Sequence, residues 1–522
     1  MKKIFFALTL LAAVPAAAQE TYENANIATD DLNGTARFVA MGGAMEALGA
    51  DLSTISTNPA GIALFRHSSI AGTMGLVSQQ GVSDFDWSKK TNMSFDQIGF
   101  VYSHQRGEGS YLNLAFNYHK SRNFNQILSA ADRLNGASQN KLSYIKGAEE
   151  CFGLEKYDGE WIGDGNAFNQ LDYLYYNVLL QDPNDGNFYY NDGKGYAMTR
   201  GAKGYIGEYD FNVSGTVGSR WYLGLTVGIK DVNYKSFSVY TENLVDAGDK
   251  NIGDVVVEDE RRIDGTGFNL KVGAIYRPIE ESPFRIGLYI HTPTWYQLTT
   301  ENSTTMLNNT PEGSYDNGSV GEKYKFQLFT PWKFGLSLGH TISNMVALGA
   351  TYEYSDYSCL DSRVNTEGGY SWYSNSYYDD SESDRVMNSH TKATLKGVST
   401  VKVGAELKAD EHFAVRLGYN FVSPMYSKNG FKDGSLDSPG SFYASSTDYT
   451  NWKATNRLTA GIGVNFDKLS IDLAYQYTIT KGEFSPFMSY WSGSSSIPDN
   501  VANIVDVENK RHQVLLTLGY HF

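Results

Sequence analysis

Cysteine is nearly absent from this sequence, with 2 in 522 residues, which excludes both a disulfide-stapled scaffold and a Cys-rich metal protein. Long apolar runs are missing too. Past the first residues no stretch reaches the roughly 18 consecutive apolar residues that a spanning helix needs, and the mean hydropathy is -0.37, so a helical membrane bundle is excluded. Positive charge is short: 43 Lys and Arg face 58 Asp and Glu, a formal charge of -15. Nucleic acid is therefore a poor partner, because phosphate binding draws on clustered Lys and Arg. What the chain does have is 14% aromatic residues, 37 Tyr and 52 Gly with only 19% charged residues. That is too aromatic for disorder and low in charge for a soluble enzyme. The length suits two to four soluble domains or one large barrel. A membrane location requires strands.

The first eighteen residues read as an address. Lys2 and Lys3 precede an apolar stretch, Ile4 to Val14, too short to span, and Ala16-Ala17-Ala18 before Gln19 resembles an A-x-A cleavage site. Residues 1–18 are expected to be a secretory signal peptide, whose loss removes two Lys and takes the formal charge to about -17.

Alternation then dominates. In Val514 to Phe522 one face carries Val514, Leu516, Leu518, Tyr520 and Phe522, and the other Leu515, Thr517, Gly519 and His521. A strand between lipid and lumen requires this period of two, and a terminal Phe resembles the C-terminal signal of bacterial outer-membrane barrels. The same pattern runs through Ile471 to Ile479, Phe413 to Phe421 and Leu112 to His119. Any one such run also suits a soluble sandwich. Marking every run gives strands near 67–80, 93–106, 109–122, 203–218, 220–240, 265–277, 283–300, 322–341, 345–358, 392–408, 411–424, 452–466, 468–482 and 509–522. The connections alternate strictly between short and long, as a transmembrane barrel demands and a sandwich does not. The fold class expected is all-β, a 14-stranded antiparallel transmembrane barrel in the bacterial outer membrane. Trp221, Trp295, Trp332, Tyr352, Tyr354 and Trp452 suit its interfacial aromatic girdles.

Fourteen strands enclose a space that must be filled or left open, and residues 19–66 are not strand-like. They are the expected plug. Ala36 to Ala44, with Gly42 and Gly43, followed by Thr57-Asn58-Pro59-Ala60-Gly61, resembles the hatch of the FadL-like outer-membrane transporters, whose Asn-Pro-Ala motif Asn58-Pro59-Ala60 matches. Gly265-Thr266-Gly267 with Tyr276-Arg277-Pro278, and Thr330-Pro331-Trp332-Lys333-Phe334-Gly335, look similar as well. The resemblance implies a monomeric fourteen-stranded barrel with an N-terminal hatch. It also implies uptake of hydrophobic small molecules, long-chain fatty acids foremost, without a cofactor. Asn58, Pro59, Ala60, Gly61, Gly42 and Gly43 are the candidate hatch and gating residues. Physically, Asn-Pro initiates a turn, and small residues let backbone lie close to a wall. A structural turn without a gating role remains the alternative.

The second long connection reads as partly helical. Phe124 to Leu134 sets Ile127, Ala130, Ala131 and Leu134 on one helical face; Phe168 to Gln181 carries Phe168, Leu171, Leu174, Tyr175, Val178 and Leu179 and stops before Pro183. Such a face in an outer loop must be covered by other loops or by ligand, so these six residues are candidates for ligand capture. The acidic run Tyr377 to Asp384 fits either a solvated loop or a site bridging divalent cations or lipopolysaccharide. Cys151 and Cys359 both fall on the outer side, where a loop-to-loop disulfide and two free thiols are both open.

Nothing points to catalysis or to a metal. There is no G-x-S-x-G and no H-E-x-x-H, and the nine His are scattered. Lumen-facing His119 and His521 read as lining, and Lys230, Lys271, Arg416 and Asp472 as a wall network. The function expected is capture of a hydrophobic ligand at the loops and passage past a rearranging hatch. A surface receptor or adhesin and a general porin are the alternatives.

Overall fold

The computed structural model describes residues 20–107, 109–343, 345–371, 376–492 and 498–522; the expected leader lies outside them. Fourteen antiparallel strands form the wall: β1 Ser69–Gln80, β2 Thr91–Gly107, β3 Ser110–Asn123, β4 Asp192–Val217, β5 Trp221–Val245, β6 Asn251–Tyr276, β7 Arg285–His291, β8 Lys333–Ile342, β9 Val346–Asp356, β10 Gly397–Lys408, β11 Phe413–Val422, β12 Tyr449–Phe466, β13 Leu469–Ser485 and β14 Val505–His521. Each pairs with the next, and Ser69 to Gln80 pairs with Lys510 to His521, so the ring of fourteen strands closes. The expected fold class is thus the observed one.

Burial follows the alternation. Leu516 and Leu518 are 45% and 52% exposed on the outside while Leu515 and Thr517 between them are buried. Leu473 and Tyr475 face out and Asp472, Ala474 and Gln476 face in. An apolar belt outside a polar interior is the signature of an outer-membrane barrel; among the described residues no helix is long and apolar enough to cross a membrane.

Several elements depart from expectation. The runs 283–300 and 322–341 are not continuous strands. β7 stops at His291 and resumes as Trp295–Asn308, and β8 is preceded by Asn317–Phe329. Pro293 and Pro331 sit at the two breaks, where a residue without N–H cannot continue a ladder. Phe124 to Leu134 is not a helix but contains the strand Gln126–Arg133, paired with Gly195 to Ala202 of β4. Its apolar residues suit either period, and the free β4 edge decides. β4, β5 and β6 have 26, 25 and 26 residues, far beyond the about 9–11 that cross a bilayer, so the wall rises into what looked like loop. Trp221, Trp295 and Trp332 are exposed on the outside, whereas Trp452 turns away from the girdle and packs against the loop core. Cys151 and Cys359 are both free thiols.

Candidate functional site

The site is built from the segment before β1. It begins with a helix, α1 (Thr21–Ala28), held at the level of the loops: Tyr22 stacks on Tyr426 with centroids 5.0 Å apart, and Glu23 pairs with Arg261 at 2.7 Å. The chain then descends through Thr29 to Asn33. Residues 36–64 lie against lumen-facing side chains near the short turns. Asn113 donates to Ile62 O, Thr226 to Ile55 O, Thr459 to Ala40 O, and Thr517 accepts from Ala36 N–H. Those partners come from β3, β5, β12 and β14, so the segment touches the wall around its circumference.

Asn58 is fully buried and caps a 3-10 turn, Pro59–Leu64: its Oδ1 accepts from Ala60 N–H at 3.2 Å and its Nδ2 donates to Glu46 O at 3.0 Å. Ala60 packs on Tyr222 and Ile275. Gly42 and Gly43 have φ of +64° and +80°, a region that favours glycine. The wall is also cut back to receive them. A Cβ at Gly273 would meet Asn58 Oδ1, and one at Gly418 would meet Gly42 N. Glu46 is anchored by Lys402 at 2.8 Å and by Thr351 at 2.6 Å, and Arg37 by Glu406 at 2.8 Å.

Above this packing lies a chamber of about 440 Å³. Its floor is ionic. Asp30 accepts from Lys230 at 2.8 Å and Lys333 at 3.0 Å, while Asp31 faces the other way, toward Arg122, Arg457 and Arg511 at 3.2, 3.7 and 3.9 Å. Five wall cations thus surround two adjacent carboxylates. Burial would raise the Asp30 carboxyl, but Lys230 and Lys333 hold it well below the usual carboxylate range. Burial acts likewise on Asp31 and is overcome by Arg122, Arg511 and Arg457. Lys271 lies between Glu208 and Asp210, 2.6 and 2.7 Å away, with His119 3.5 Å from Glu208, and Arg416 bridges Glu406 and Asp472 at 2.6 Å each. These are wall networks, as read from the sequence; His521 instead sits at the rim beside Ser69. Aromatic residues, among them Phe124, Tyr234, Tyr426, Tyr449 and Trp452, border the rest of the chamber together with charged and polar ones such as Arg200, Asp259, Lys432 and Asp448.

On one side of the wall, at the same level, the ladder between two strands is interrupted. β2 pairs with β1 over Thr91 to Val101 but with β3 only from Gln97 onward, opposite His119. Beyond that pair β3 pairs with β4 alone. Two side chains bridge the parted strands. Lys120 donates to Ser94 Oγ at 2.6 Å, and Asn33 donates to both Asp96 Oδ1 at 2.9 Å and Lys120 O at 3.0 Å. A smaller cavity of about 240 Å³ lies between Asn92 and Asn125.

Phe168, Leu171, Leu174, Tyr175, Val178 and Leu179 do come together, on the helix Gln170–Tyr175 and the wide turn Tyr176–Leu180, begun by an Asn169–Asp172 capping box. All six are at most 3% exposed and pack with Tyr196, Met198, Tyr240 and Phe484. In this conformation other loop and wall residues cover the face. Asp30, Asp31, Asn33 and the three arginines were not singled out in the sequence. The available signal was the pair of adjacent acids in the pre-strand segment set against lumen-facing Arg on three strands.

Neither a protein-family model nor a curated protein matches the chain. Among solved structures, the CymD monoaromatic hydrocarbon channel matches at TM-score 0.50 with 11% identity, over 95% of this chain and 99% of its own. A Pseudomonas aeruginosa FadL homologue matches at 0.48 with 11% identity, over 95% and 99%, and the Ralstonia pickettii toluene transporter TbuX at 0.46 with 12%, over 94% and 99%. At such identity the likeness is one of fold: the chain has the FadL-type barrel fold, as the resemblance in its sequence implied.

Proposed function

We propose that the protein is an outer-membrane uptake channel for hydrophobic small molecules with a polar or anionic head, long-chain fatty acids foremost, and that residues 20–66 are its hatch. The observation that carries the reading is the parting of β2 and β3 at chamber level, closed by Asn33 of the pre-strand segment. A solute leaving there enters the apolar belt directly, a route that serves a lipophilic molecule and not a sugar or an ion. Aromatic side chains set among polar ones above an ionic floor suit a molecule with an apolar body and a polar or anionic head. Asn58, Pro59, Ala60 and Gly61, with Gly42 and Gly43, fix the lower part of the hatch, so movement is assigned to Thr29 through Asn33. Phe168 to Leu179 take part in capture only if the loop core opens; they pack in that core and none of them borders the chamber.

The test is uptake by cells expressing the full chain. Labelled long-chain fatty acid should enter while a polar solute of equal size does not. In a Cys151→Ser, Cys359→Ser background, Ser94→Cys with Lys120→Cys joined by a short bifunctional thiol reagent should block entry, and cleaving the reagent should restore it. Absence of uptake for every apolar solute tried would remove the transport reading, and uptake indifferent to the cross-link would remove the lateral route.

A further inference from the structure

We propose that Asp31 is a resident stand-in for the ligand: its carboxylate occupies an anion site built by Arg122, Arg457 and Arg511, and an amphiphile's carboxylate or phosphate head takes its place and thereby frees the hatch. The inference rests on the uptake reading above and specifies the chemistry of its binding step. Three strands, β3, β12 and β14, aim guanidinium groups at one carboxylate. The nearby Asp96 is held by the neutral donors Asn33 and Ser94 and acts on Arg511 as well, so against these two carboxylates the trio keeps an excess of one positive charge. Its donors are far from saturated. Arg457 and Arg511 stand 3.7 and 3.9 Å from Asp31, beyond hydrogen-bond reach, and Arg122 Nε is buried without a partner. Their remaining contacts are single neutral oxygens: Asn26 Oδ1 for Arg122, Asn420 Oδ1 for Arg457 and Asn123 O for Arg511.

Guanidinium groups withdrawn from water without a counter-ion are costly; a carboxylate supplied by the chain itself keeps them paired while the chamber is empty. A free carboxylate or phosphate can approach more closely than Asp31, whose backbone is tied by its N–H to Ser121 O at 2.7 Å, and can take the forked geometry that guanidinium favours. All four side chains border the chamber. At the arginine trio the exchange is one anion for one, and Asp31, still ionised, swings out into the chamber that it borders. Its mechanical consequence lies two residues away, because Asn33 closes the gap between β2 and β3. Loss of the Asp31 anchor leaves Asn33 held only by its own side-chain bonds to Asp96, Lys120 O and Gln513.

Calorimetric titration of the full chain in a non-ionic detergent tests this with dodecanoate, dodecyl phosphate and dodecan-1-ol. The two anions should bind about tenfold more tightly than the alcohol, the worth of one charge-assisted hydrogen bond. Arg457→Gln with Arg511→Gln should bring the anions down to the alcohol's affinity and leave the alcohol unmoved. Asp31→Asn, which removes the competitor, should tighten the anions about tenfold; it keeps the proposal testable if the arginine variants fail to fold, as judged by heat-modifiable migration. Preference for one anion over the other identifies carboxylate or phosphate as the head. Anions bound no better than alcohol, or anion affinity unchanged or weakened by Asp31→Asn, would overturn the exchange. If alcohol and anions bind equally and both enter cells, the uptake reading survives that loss; if none binds or enters, both fall.

Discussion

Asn58 carries two hydrogen bonds from a side chain with no access to water, one capping the turn at Ala60 and one reaching back to Glu46 O. Asn58→Ala leaves the Glu46 carbonyl unpaired in a dry site, a cost of about 1–3 kcal/mol. Amide hydrogen exchange should rise in residues 46–64 and stay unchanged in the barrel strands. Asp30 and Asp31 make a pH prediction. Their carboxyls are held below the range of the unfolded chain, so their contribution to docking is complete above about pH 4 and is lost as pH falls through the lower folded values. Amide-exchange protection of residues 29–33 should stay flat from pH 8 to 5 and fall only in stronger acid. Asp30→Asn with Asp31→Asn should lack that protection at every pH. A wild-type loss near pH 6 would point to other groups.

Among elements, the strands were legible and the outer loops were not. Val514 to Phe522 announces its two faces residue by residue because lipid and lumen sort side chains with a period of two. Gln126 to Arg133 has no such sorting. Its place depends on an available β4 edge, and apolar residues at 127, 130, 131 and 134 fit a helix equally well. The helix Gln170–Tyr175 was found because its apolar spacing is unambiguous; what covers it was not. That cover yields a prediction. Leu171→Ser, Tyr175→Ser and Val178→Ser together cut into a core where truncating each large side chain costs about 2–5 kcal/mol. Protease added to intact cells should then cleave within 139–191 while the barrel keeps its heat-modifiable migration. Resistance equal to wild type would show that the loop cap does not depend on this face.

For the whole molecule, the proposal that residues 20–66 are a hatch makes them the part that should decide whether a fourteen-stranded barrel conducts. Residues 20–60 meet lumen-facing side chains on strands all around the wall, so their deletion should leave a barrel that inserts and carries ions steadily. Asn58→Ala with Pro59→Ala should instead lower uptake without large conductance. A silent deletion variant with normal uptake would contradict a hatch in the lumen. The two experiments differ because one removes the filling and the other only loosens its turn.

The sequence by itself determined the barrel: the alternation, the strict succession of short and long connections and the lack of apolar helices leave one architecture, since in lipid each strand must pair on both sides and present one apolar face. It also marked Asn58-Pro59 as a turn, because that preference is local to the backbone. Only the tertiary structure decided where the charges meet. Asp31 lies 91 residues from Arg122 in the chain and shares with Arg457 and Arg511 only a location inside a closed sheet, and the break between β2 and β3 is spanned by Asn33 and Lys120. Such encounters are fixed by register and closure around the whole ring, which no window along the chain contains.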